Sequence, residues 1–540
     1  SRRNKDAQGV VEWQGAHTVR AAAGRGLPAL PPWEQPALTG YTPPPLMNPP
    51  APTGSVRPAS LFRNWVSLAG LVLMASSIFA FVLLFFLDMM AFSSNPYVGI
   101  LTFLVAPAFF FAGLLLLLFG AWRWRRKMAK TPGGAGALQI NIDLSREHDR
   151  RVLAFFVPAS AAFLLLTAMG SYHTYHFTES VQFCGESCHT VMKPELTTYL
   201  HSPHARVACA ECHIGKGATW YVRSKLSGTY QVYATLARKY PTPIPTPVRN
   251  LRPAQETCEQ CHWPKKFVGN LDRTLSYYLP DQSNSLYSVR LLLKVGGGDP
   301  THGPVGGIHW HMNVANKIEY IATDEARQKI PWVRMTDPQG VVTEYRVKEF
   351  TNDVSRMPVR RMDCMDCHNR PAHKFQSPES AVNLAMSLTN IDISLPYIKT
   401  NAVGALCRAY TNQTQALEGI ATALSQQFPK DARIRGAIAA VQEIYTNNFF
   451  PEMKASWRDY PDNIGHKDFP GCFRCHDGKH IASAGQDMIK ANDCNACHLI
   501  LAQGSGAQLN QLNAQGQKFA HPGDEYDPAY QCTDCHNGGL

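Results

Sequence analysis

Cysteine and histidine form the clearest chemical pattern in this 540-residue sequence. Fourteen of its 15 cysteines fall into seven pairs, and a histidine directly follows the second cysteine of every pair. Two neighbouring thiols can form thioether bonds to one haem, while the adjacent imidazole binds its iron. We therefore predict seven covalently bound haem c groups. The paired cysteines are Cys184/Cys188, Cys209/Cys212, Cys258/Cys261, Cys364/Cys367, Cys472/Cys475, Cys494/Cys497 and Cys532/Cys535, and the histidines are His189, His213, His262, His368, His476, His498 and His536.

Zinc sites, redox-active dithiols and structural disulfides are the alternative explanations for paired cysteines. None of them requires a histidine after every second cysteine, and with only 20 histidines in the chain seven chance coincidences are negligible. The first pair differs from the others because three residues, 185–187, separate its cysteines. The remaining cysteine, Cys407, is interpreted as a small buried hydrophobic residue.

Ten further side chains are candidates for the second axial ligands of these irons. Bis-histidine ligation suits electron transfer, because it leaves no open iron position for a substrate. Met192 lies three residues after His189 and is a candidate for the first haem, with a core methionine as the alternative. The predicted second ligands are Met192, His176, His201, His204, His309, His311, His373, His466, His480 and His521.

Three uncharged apolar segments precede the first motif, at Val66–Leu87, Tyr97–Trp122 and Val152–Met169. Each is near the roughly 20 residues that a helix needs to cross a bilayer, and buried core helices are the alternative. Eight lysines and arginines lie between the second and third segments, so the positive-inside rule places this loop in the cytoplasm. The N-terminus is then cytoplasmic, and the chain after Met169 is exported. We therefore expect a membrane protein whose haem domain lies on the outer side of the membrane.

The net charge of +11 would otherwise suggest a nucleic-acid-binding protein. Most of the excess lies in residues 1–170, around the apolar segments, so we attribute it to membrane topology. The predicted fold is a three-helix anchor with a mostly α-helical or irregular exported domain that has minor β structure. Strands are expected at 288–295 and 341–347, and helices within 377–449.

Five regions are predicted along the chain. They are a proline-rich cytoplasmic segment (1–60), the membrane anchor (61–170), a region with the first three haem motifs (171–270), a central region with the fourth motif (271–460) and a C-terminal region with the last three (461–540).

Residues 150–265 resemble the NapC/NirT family of membrane-bound multihaem quinol dehydrogenases. The resemblance rests on Phe183-Cys184-Gly-Glu-Ser-Cys188-His189 and on Ser202-Pro-His204 leading into the second motif. It implies oxidation of menaquinol at the outer surface of the inner membrane, with electrons passing to periplasmic c-type cytochromes or other respiratory subunits. The layout is similar to that of the family's longer heptahaem members. Met192 is one residue removed from a methionine ligand of the small members.

Quinol oxidation releases protons as well as electrons, so it needs a proton acceptor near the first haem. The ionisable groups beyond the third apolar segment are His173, His176, Glu179, Lys193, Glu195 and Tyr199. We hypothesise that Glu195, His173 or His176 accepts the proton and that Lys193 or Tyr199 orients the quinol. The alternative is that these side chains are interfacial or structural.

Two other functions compete with quinol oxidation. A catalytic multihaem reductase would need a haem with an open iron position, which the supply of spare histidines argues against. The other is a haem-bearing anchor subunit of a larger respiratory complex, without a quinol site of its own.

Overall fold

The computed structural model of the chain leaves part of the sequence undescribed. The predicted segment 1–60, the thiol of Cys188 and the side chain of His189 lie outside what it describes. The described residues are 65–90, 101–128, 144–187, 189–215, 217–248, 251–297, 306–312, 316–483, 485, 487–490, 494–523, 527 and 530–539.

Helices and strands are distributed unevenly along the described chain. The helices are α1 (Trp65–Met90), α2 (Ala106–Met128), α3 (Glu147–Thr178), α4 (His189–Leu200), α5 (Cys209–His213), α6 (Ala218–Leu236), α7 (Ala254–Thr257), α8 (Cys364–Cys367), α9 (Pro378–Ser387), α10 (Ile398–Leu406), α11 (Gln413–Gln427), α12 (Ile434–Asn448), α13 (Cys494–Cys497) and α14 (Cys532–Cys535). The strands are β1 (Leu271–Tyr278), β2 (Leu286–Leu293), β3 (Lys317–Ile321), β4 (Trp332–Thr336), β5 (Val342–Val347), β6 (Arg360–Arg361), β7 (His480–Ala482) and β8 (His498–Gly504).

Two helical stretches, Trp65–Phe86 and Leu101–Lys127, are long and apolar enough to cross a membrane. They agree with the first two predicted spans. The third predicted segment lies within α3, which is not among the candidate spans found in the described residues. The three-span anchor therefore stays a prediction.

Small residues bring α1 and α2 into backbone contact. A Cβ atom at Gly70 would lie only 2.6 Å from the carbonyl oxygen of Gly113, and one at Gly120 would lie 2.7 Å from the backbone nitrogen of Ser67. Close backbone approach at small residues is the usual way in which membrane helices pack, because lipid provides no hydrophobic drive for their association.

Four amphipathic helices, α9–α12, form the largest apolar core in the described chain beyond α3. Along α11, Ala416, Ile420, Ala423 and Leu424 are buried, at the three- and four-residue spacing of one helix face. These helices agree with the helical pattern predicted within 377–449. Cys407 directly follows α10 and is exposed, so its interpretation as a buried residue was wrong.

Two antiparallel sheets frame the haem motifs. Their strand orders are β1-β2-β8 and β6-β3-β4-β5-β7. The strands predicted at 288–295 and 341–347 correspond to β2 and β5, but the sequence did not reveal the other six. Several of those missed strands adjoin a motif: β6 precedes the fourth, β7 follows the fifth and β8 begins at His498 of the sixth. The sheets thus fix the positions of motifs that are far apart in sequence.

A buried ion cluster joins the helical core to the segment before the fifth motif. Glu379 on α9 lies 3.2 Å from the Nζ atom of Lys399 on α10 and also pairs with Lys467. Burial alone would raise the pKa of Glu379, but the charges of Lys467 and Lys399 outweigh it and lower the pKa below its ordinary value. The carboxylate therefore stabilises two lysine charges within the fold.

We expect Glu379→Gln to destabilise the protein by about 3 kcal/mol, because it leaves the buried Lys399 without a counter-charge and Lys467 with Asp468 alone. The pKa of Glu379 is lowered on folding, so its contribution is complete above the ordinary value of 4.5 and is lost as the pH falls below it. Thermal unfolding followed by circular dichroism should show a difference between variant and parent that shrinks under acid. Glu418→Gln, at an exposed position on α11, is the control. Equal stability of Glu379→Gln and parent at neutral pH would contradict this role.

Candidate haem-binding sites

Most of the Cys-x-x-Cys-His motifs fold as a single helical turn. The backbone N–H of the motif histidine donates to the carbonyl of the first cysteine, at 2.8 Å in His262 and His368 and at 2.7 Å in His536. Residues i, i+3 and i+4 of a helical turn share one face. Both thiols and the imidazole therefore face the same side, as attachment of one haem requires.

The first motif, which has the longer cysteine spacing, has a different backbone. Residues Gln182–Glu186 form a π-helical turn, in which the N–H of Ser187 donates to the carbonyl of Gln182 at 3.2 Å. A π-turn contains one residue more than an α-turn. The wider turn includes Cys184, the first cysteine of the motif that has the longer spacing.

The third motif departs from the regular α-helical turn at its second cysteine. Residues Cys258–Gln260 form a 3-10 turn that ends before Cys261, whose N–H donates to the carbonyl of Cys258 at 3.1 Å. The motif pattern does not distinguish the two cysteines, but their burial differs. Cys261 is exposed, whereas Cys258 is partly buried. The tighter 3-10 turn gives this motif a local backbone different from that of the α-helical motifs. Attachment of haem here, as at the other motifs, is a prediction.

The same inequality between the two cysteines recurs in other motifs. In the second, fourth and seventh, the first cysteine is partly buried and the second is exposed, and the second cysteines concerned are Cys212, Cys367 and Cys535. In the fifth and sixth motifs the order is reversed, because Cys475 and Cys497 are the less exposed members. The two cysteines of each of these pairs thus differ in exposure.

Six motif histidines each face a second histidine. An iron bound by two imidazole nitrogens on opposite sides, each about 2 Å away, separates the ring centres by roughly 6 Å. The observed separations fit this requirement closely. The ring-centre distances are 6.3 Å for His213–His373, 6.1 Å for His262–His204, 6.2 Å for His368–His309, 6.0 Å for His476–His311, 6.3 Å for His498–His466 and 6.0 Å for His536–His521.

Proximity in sequence does not set these pairs. His373 follows the fourth motif by five residues, yet it faces His213 of the second. His204 precedes the second motif and faces His262 of the third. Only His521, which precedes the last motif, faces the histidine that follows it most closely in the chain.

Backbone carbonyls orient four of the second histidines through the Nδ1 atom. A donor bond from Nδ1–H leaves the Nε2 lone pair free to bind a metal. The Nδ1···O distances are 3.0 Å for His204 to Pro371, 3.0 Å for His309 to Val295, 2.9 Å for His311 to Ile308 and 3.0 Å for His373 to Glu195.

Burial also favours the neutral form of these imidazoles, which is the form that binds iron. In each affected residue, loss of contact with water is the main cause of the pKa shift. The histidines whose pKa is lowered are His213, His309, His368, His373, His466, His476, His498 and His536.

Glu195 lies in the interior behind the second site. Its Oε2 atom is 3.6 Å from Nδ1 of His373 and accepts no hydrogen bond from the described residues. Burial raises the pKa of Glu195, and the nearby charge of Arg370 opposes the rise. This position makes Glu195 a neighbour of a candidate iron ligand.

Arg370 provides an independent test of whether these sites fit haem. Its Nε and Nη2 atoms are buried and have no hydrogen-bond partner among the described residues. Its guanidinium carbon lies 4.2 Å from the ring centre of Tyr460. A buried guanidinium with unused donors suits an anionic acceptor such as a haem propionate. Sequence reasoning missed this residue, because a single arginine after a motif carries no distinguishing signal.

Two predicted second ligands occupy other environments. His480 is fully buried, with Nδ1 2.8 Å from Asp477 and Nε2 2.7 Å from the carbonyl of Ile330. Both ring nitrogens are used, so His480 has a structural role in place of the predicted ligand role. His201 is exposed, with Nδ1 2.8 Å from the carbonyl of Thr197.

The predicted quinol-orienting residues also make contacts within the fold. The Tyr199 hydroxyl is shared between the backbone carbonyls of Ala205 at 2.8 Å and Val207 at 3.0 Å, which holds the loop that bears the third site's second histidine. Lys193 is exposed and donates from Nζ to Oε1 of Gln413 at 2.7 Å.

His173 and His176 lie on the last turns of α3. The ring of His176 packs edge-on against Tyr172, with ring centres 4.4 Å apart. Met192 on α4 is partly buried. The two histidines therefore stand at the end of the helix that contains the third apolar segment.

A polar cluster that includes Glu179 and Lys225 adjoins the first motif. Lys225 on α6 lies 3.8 Å from Oε1 of Glu179 and donates to Oγ1 of Thr178 at 3.1 Å. Burial lowers the pKa of Lys225, while Glu179 and the Cys184 thiol act in the opposite direction. Sequence reasoning missed Lys225 because α6 follows the second motif and meets α3 only in the folded chain.

Neighbouring motifs adjoin one another through the first half of the series. The Cys184 thiol hydrogen-bonds to Cys209, which lowers the pKa of Cys209 to about 7. Cys212 interacts electrostatically with both Cys258 and Cys261 of the third motif. A hydrogen bond from Cys364 lowers the pKa of Cys258 to about 6.

The same continuity holds in the second half. Cys367 of the fourth motif interacts with Cys472 of the fifth. Phe473, inside the fifth motif, stacks at 4.3 Å on His466, the partner of the sixth motif's histidine. Cys532 interacts with Cys494, which joins the last two motifs. The attachment sites therefore follow one another in space in the order of the sequence.

Comparison with known proteins agrees with this arrangement. Residues 147–255 match the model of the NapC/NirT cytochrome c family, N-terminal region. The chain is 40% identical over 492 residues to cytochrome c-type protein ImcH of Geobacter sulfurreducens, and the match covers 88% of this chain and 96% of that protein. No solved structure gives a significant match. The resemblance predicted from the sequence is thus confirmed, and the chain belongs to the NapC/NirT family of membrane-anchored, electron-transporting c-type cytochromes.

Proposed function

We propose that this protein oxidises menaquinol at the periplasmic face of a bacterial inner membrane and delivers the electrons to periplasmic acceptors through seven c-type haems. The observation that carries the proposal is the set of six histidine pairs, each at the separation of two axial ligands. When bound, the haems supply one-electron exchange at iron. The chain supplies ligands, spacing and a proton acceptor.

The six pairs support electron transfer over catalysis at iron. An iron bound by both histidines of a pair would have no open position for nitrite, hydroxylamine or a similar substrate at these six sites. We assign His373, His204, His309, His311, His466 and His521 as the second ligands of sites two to seven. For the first site Met192 remains the proposed candidate.

The adjoining motifs support a single path for electrons, from the membrane surface towards the C-terminal sites. The first motif follows α3, which we propose is the third span, with the N-terminus cytoplasmic and the exported domain periplasmic. The last motif ends near the C-terminus, close to the sixth. Electrons would then enter at the first site and leave from the C-terminal sites to a c-type cytochrome or another respiratory subunit.

For the quinol site, the geometry favours Glu179 as proton acceptor with Lys225 beside it. Oε1 of Glu179 is buried and accepts no hydrogen bond from the described residues. The Lys225 ammonium, 3.8 Å away, provides positive charge where the quinol oxygen becomes negative. His173 and His176 remain candidates for carrying the proton to water. Glu195 is a weaker candidate, because it lies in the interior beside His373.

Anaerobic addition of a menaquinol analogue to the oxidised, purified protein tests the function directly. We expect rapid growth of the reduced-haem absorbance bands and their suppression by a quinone-site inhibitor. Intact mass should exceed the sequence mass by seven haem groups. Haems that respond to dithionite but not to quinol would contradict the proposal and favour the haem-bearing anchor subunit of a larger complex.

His466→Ala should convert one of the seven haems from six-coordinate low-spin to high-spin iron, because the sixth site loses its second imidazole. Electron paramagnetic resonance of the oxidised protein measures the change. His201→Ala is the matched control, since this exposed histidine has no motif partner in the described structure. An unchanged spectrum in His466→Ala would remove His466 from the ligand set.

Glu179→Gln should slow quinol-driven haem reduction by about 100-fold or more, because the quinol loses its proton acceptor. Dithionite reduction should be unaffected. Glu195→Gln should retain nearly the parental quinol rate, and Glu186→Gln, at an exposed position in the first motif, is the control. A large loss in Glu195→Gln with a normal rate in Glu179→Gln would reverse the assignment.

A further inference from the structure

Helix α6 exposes a continuous apolar stripe. Its members recur at three- and four-residue intervals, so they share one side of the helix. Their side chains are between 52% and 79% exposed, which is unusual for residues of this size on a water-facing surface. The stripe, defined by these residues, consists of Val222, Leu226, Tyr230, Tyr233 and Leu236.

The other two sides of α6 differ in chemistry. Polar residues Arg223, Ser227 and Gln231 lie next to the stripe around the helix and are also exposed. The side that includes Tyr221 and Lys225 is partly buried and faces α3. An apolar side, a polar side and a packed side together are typical of a helix lying in the interface between water and lipid.

The contacts between α6 and α3 place the stripe at a defined height. The rings of Tyr221 and Tyr175 lie 5.6 Å apart, and Lys225 bonds to Thr178. Tyr175 lies six residues beyond Met169, about 9 Å along a helix. The headgroup region on each side of a bilayer is roughly 5–8 Å thick. The N-terminal half of α6 is therefore held at the outer edge of the lipid headgroup layer, from which large side chains reach inwards.

Basic and aromatic residues around the stripe complement an anionic lipid surface. The guanidinium carbon of Arg223 lies 5.3 Å from the ring centre of Trp220, and Lys239 bonds to the Tyr233 hydroxyl at 3.1 Å. Arg238 and Lys239 are exposed just beyond the C-terminal end of α6. Tyrosine, tryptophan and basic residues concentrate at membrane interfaces, where rings enter the acyl boundary and charges meet phosphates.

We propose that α6 lies in the outer interface of the same membrane, with the stripe inserted into the acyl boundary. The inference rests on α3 crossing the bilayer, which is part of the proposed function. It makes α6 a second attachment of the exported domain, beside the first haem motif. The partner is the lipid bilayer, rather than a protein or a second copy of the chain.

Thiol accessibility, measured on the full-length haem protein, tests this placement of α6. Each nanodisc contains anionic lipid and one copy of the protein. The background is Cys407→Ser, because the haem cysteines are held in thioether bonds. Leu226→Cys should react with a charged, water-soluble maleimide about tenfold slower than Ser227→Cys, since only a hydrated thiolate reacts. Ser227 is the adjacent residue on the polar side. Leu165→Cys, within the third apolar segment, should be unreactive.

Each outcome is distinguishable. Equal rates for Leu226→Cys and Ser227→Cys, with Leu165→Cys protected, would overturn the interfacial helix and leave the third span intact. A fast Leu165→Cys would remove that span, and with it the topology in the proposed function. An unchanged haem spectrum confirms that the variants are folded.

Discussion

Two imidazoles that bind one iron from opposite sides must face each other with ring centres roughly 6 Å apart. This distance constrains residues throughout the chain beyond α3. Six pairs satisfy it, and their histidines come from loops, from short helical turns and from the first residue of a strand. The secondary structure beyond α3 is best understood as the framework that holds these rings at that separation.

The helices and sheets that hold these rings form by the usual rules of protein folding. The helical core of α9–α12 packs by apolar periodicity, while the sheets hold motifs together that are distant in sequence. Asp366, inside the fourth motif, shows how closely frame and site are joined. It accepts hydrogen bonds from Tyr320 on β3 and from Arg327, and its carbonyl accepts one from Arg474 of the fifth motif. Neighbouring sites are therefore locked to the sheet and to each other by the same residue.

The sequence was sufficient to predict the attachment motifs, the first two apolar helices, the helical region and the family. These features depend on local spacing, which a linear pattern preserves. It was not sufficient to pair the ligands, because His373 and His204 face histidines of other motifs. Nor could the sequence show that both ring nitrogens of His480 are used within the fold, since Asp477 and the Ile330 carbonyl meet its ring only after folding. Six of the eight strands in the described residues were missed, and three of them, β6, β7 and β8, adjoin motifs that dominate their sequence.

Several motif histidines face a histidine that lies near a different motif, and this affects how the sites would be assembled. In the proposed topology the chain beyond α3 is exported in the order of its sequence, so His213 would reach the periplasm before His373, which faces it. A haem attached early at the second motif would then keep one side of its iron uncovered until the fourth motif had emerged. Maturation would thus pass through incomplete sites, each completed by a segment that is synthesised later.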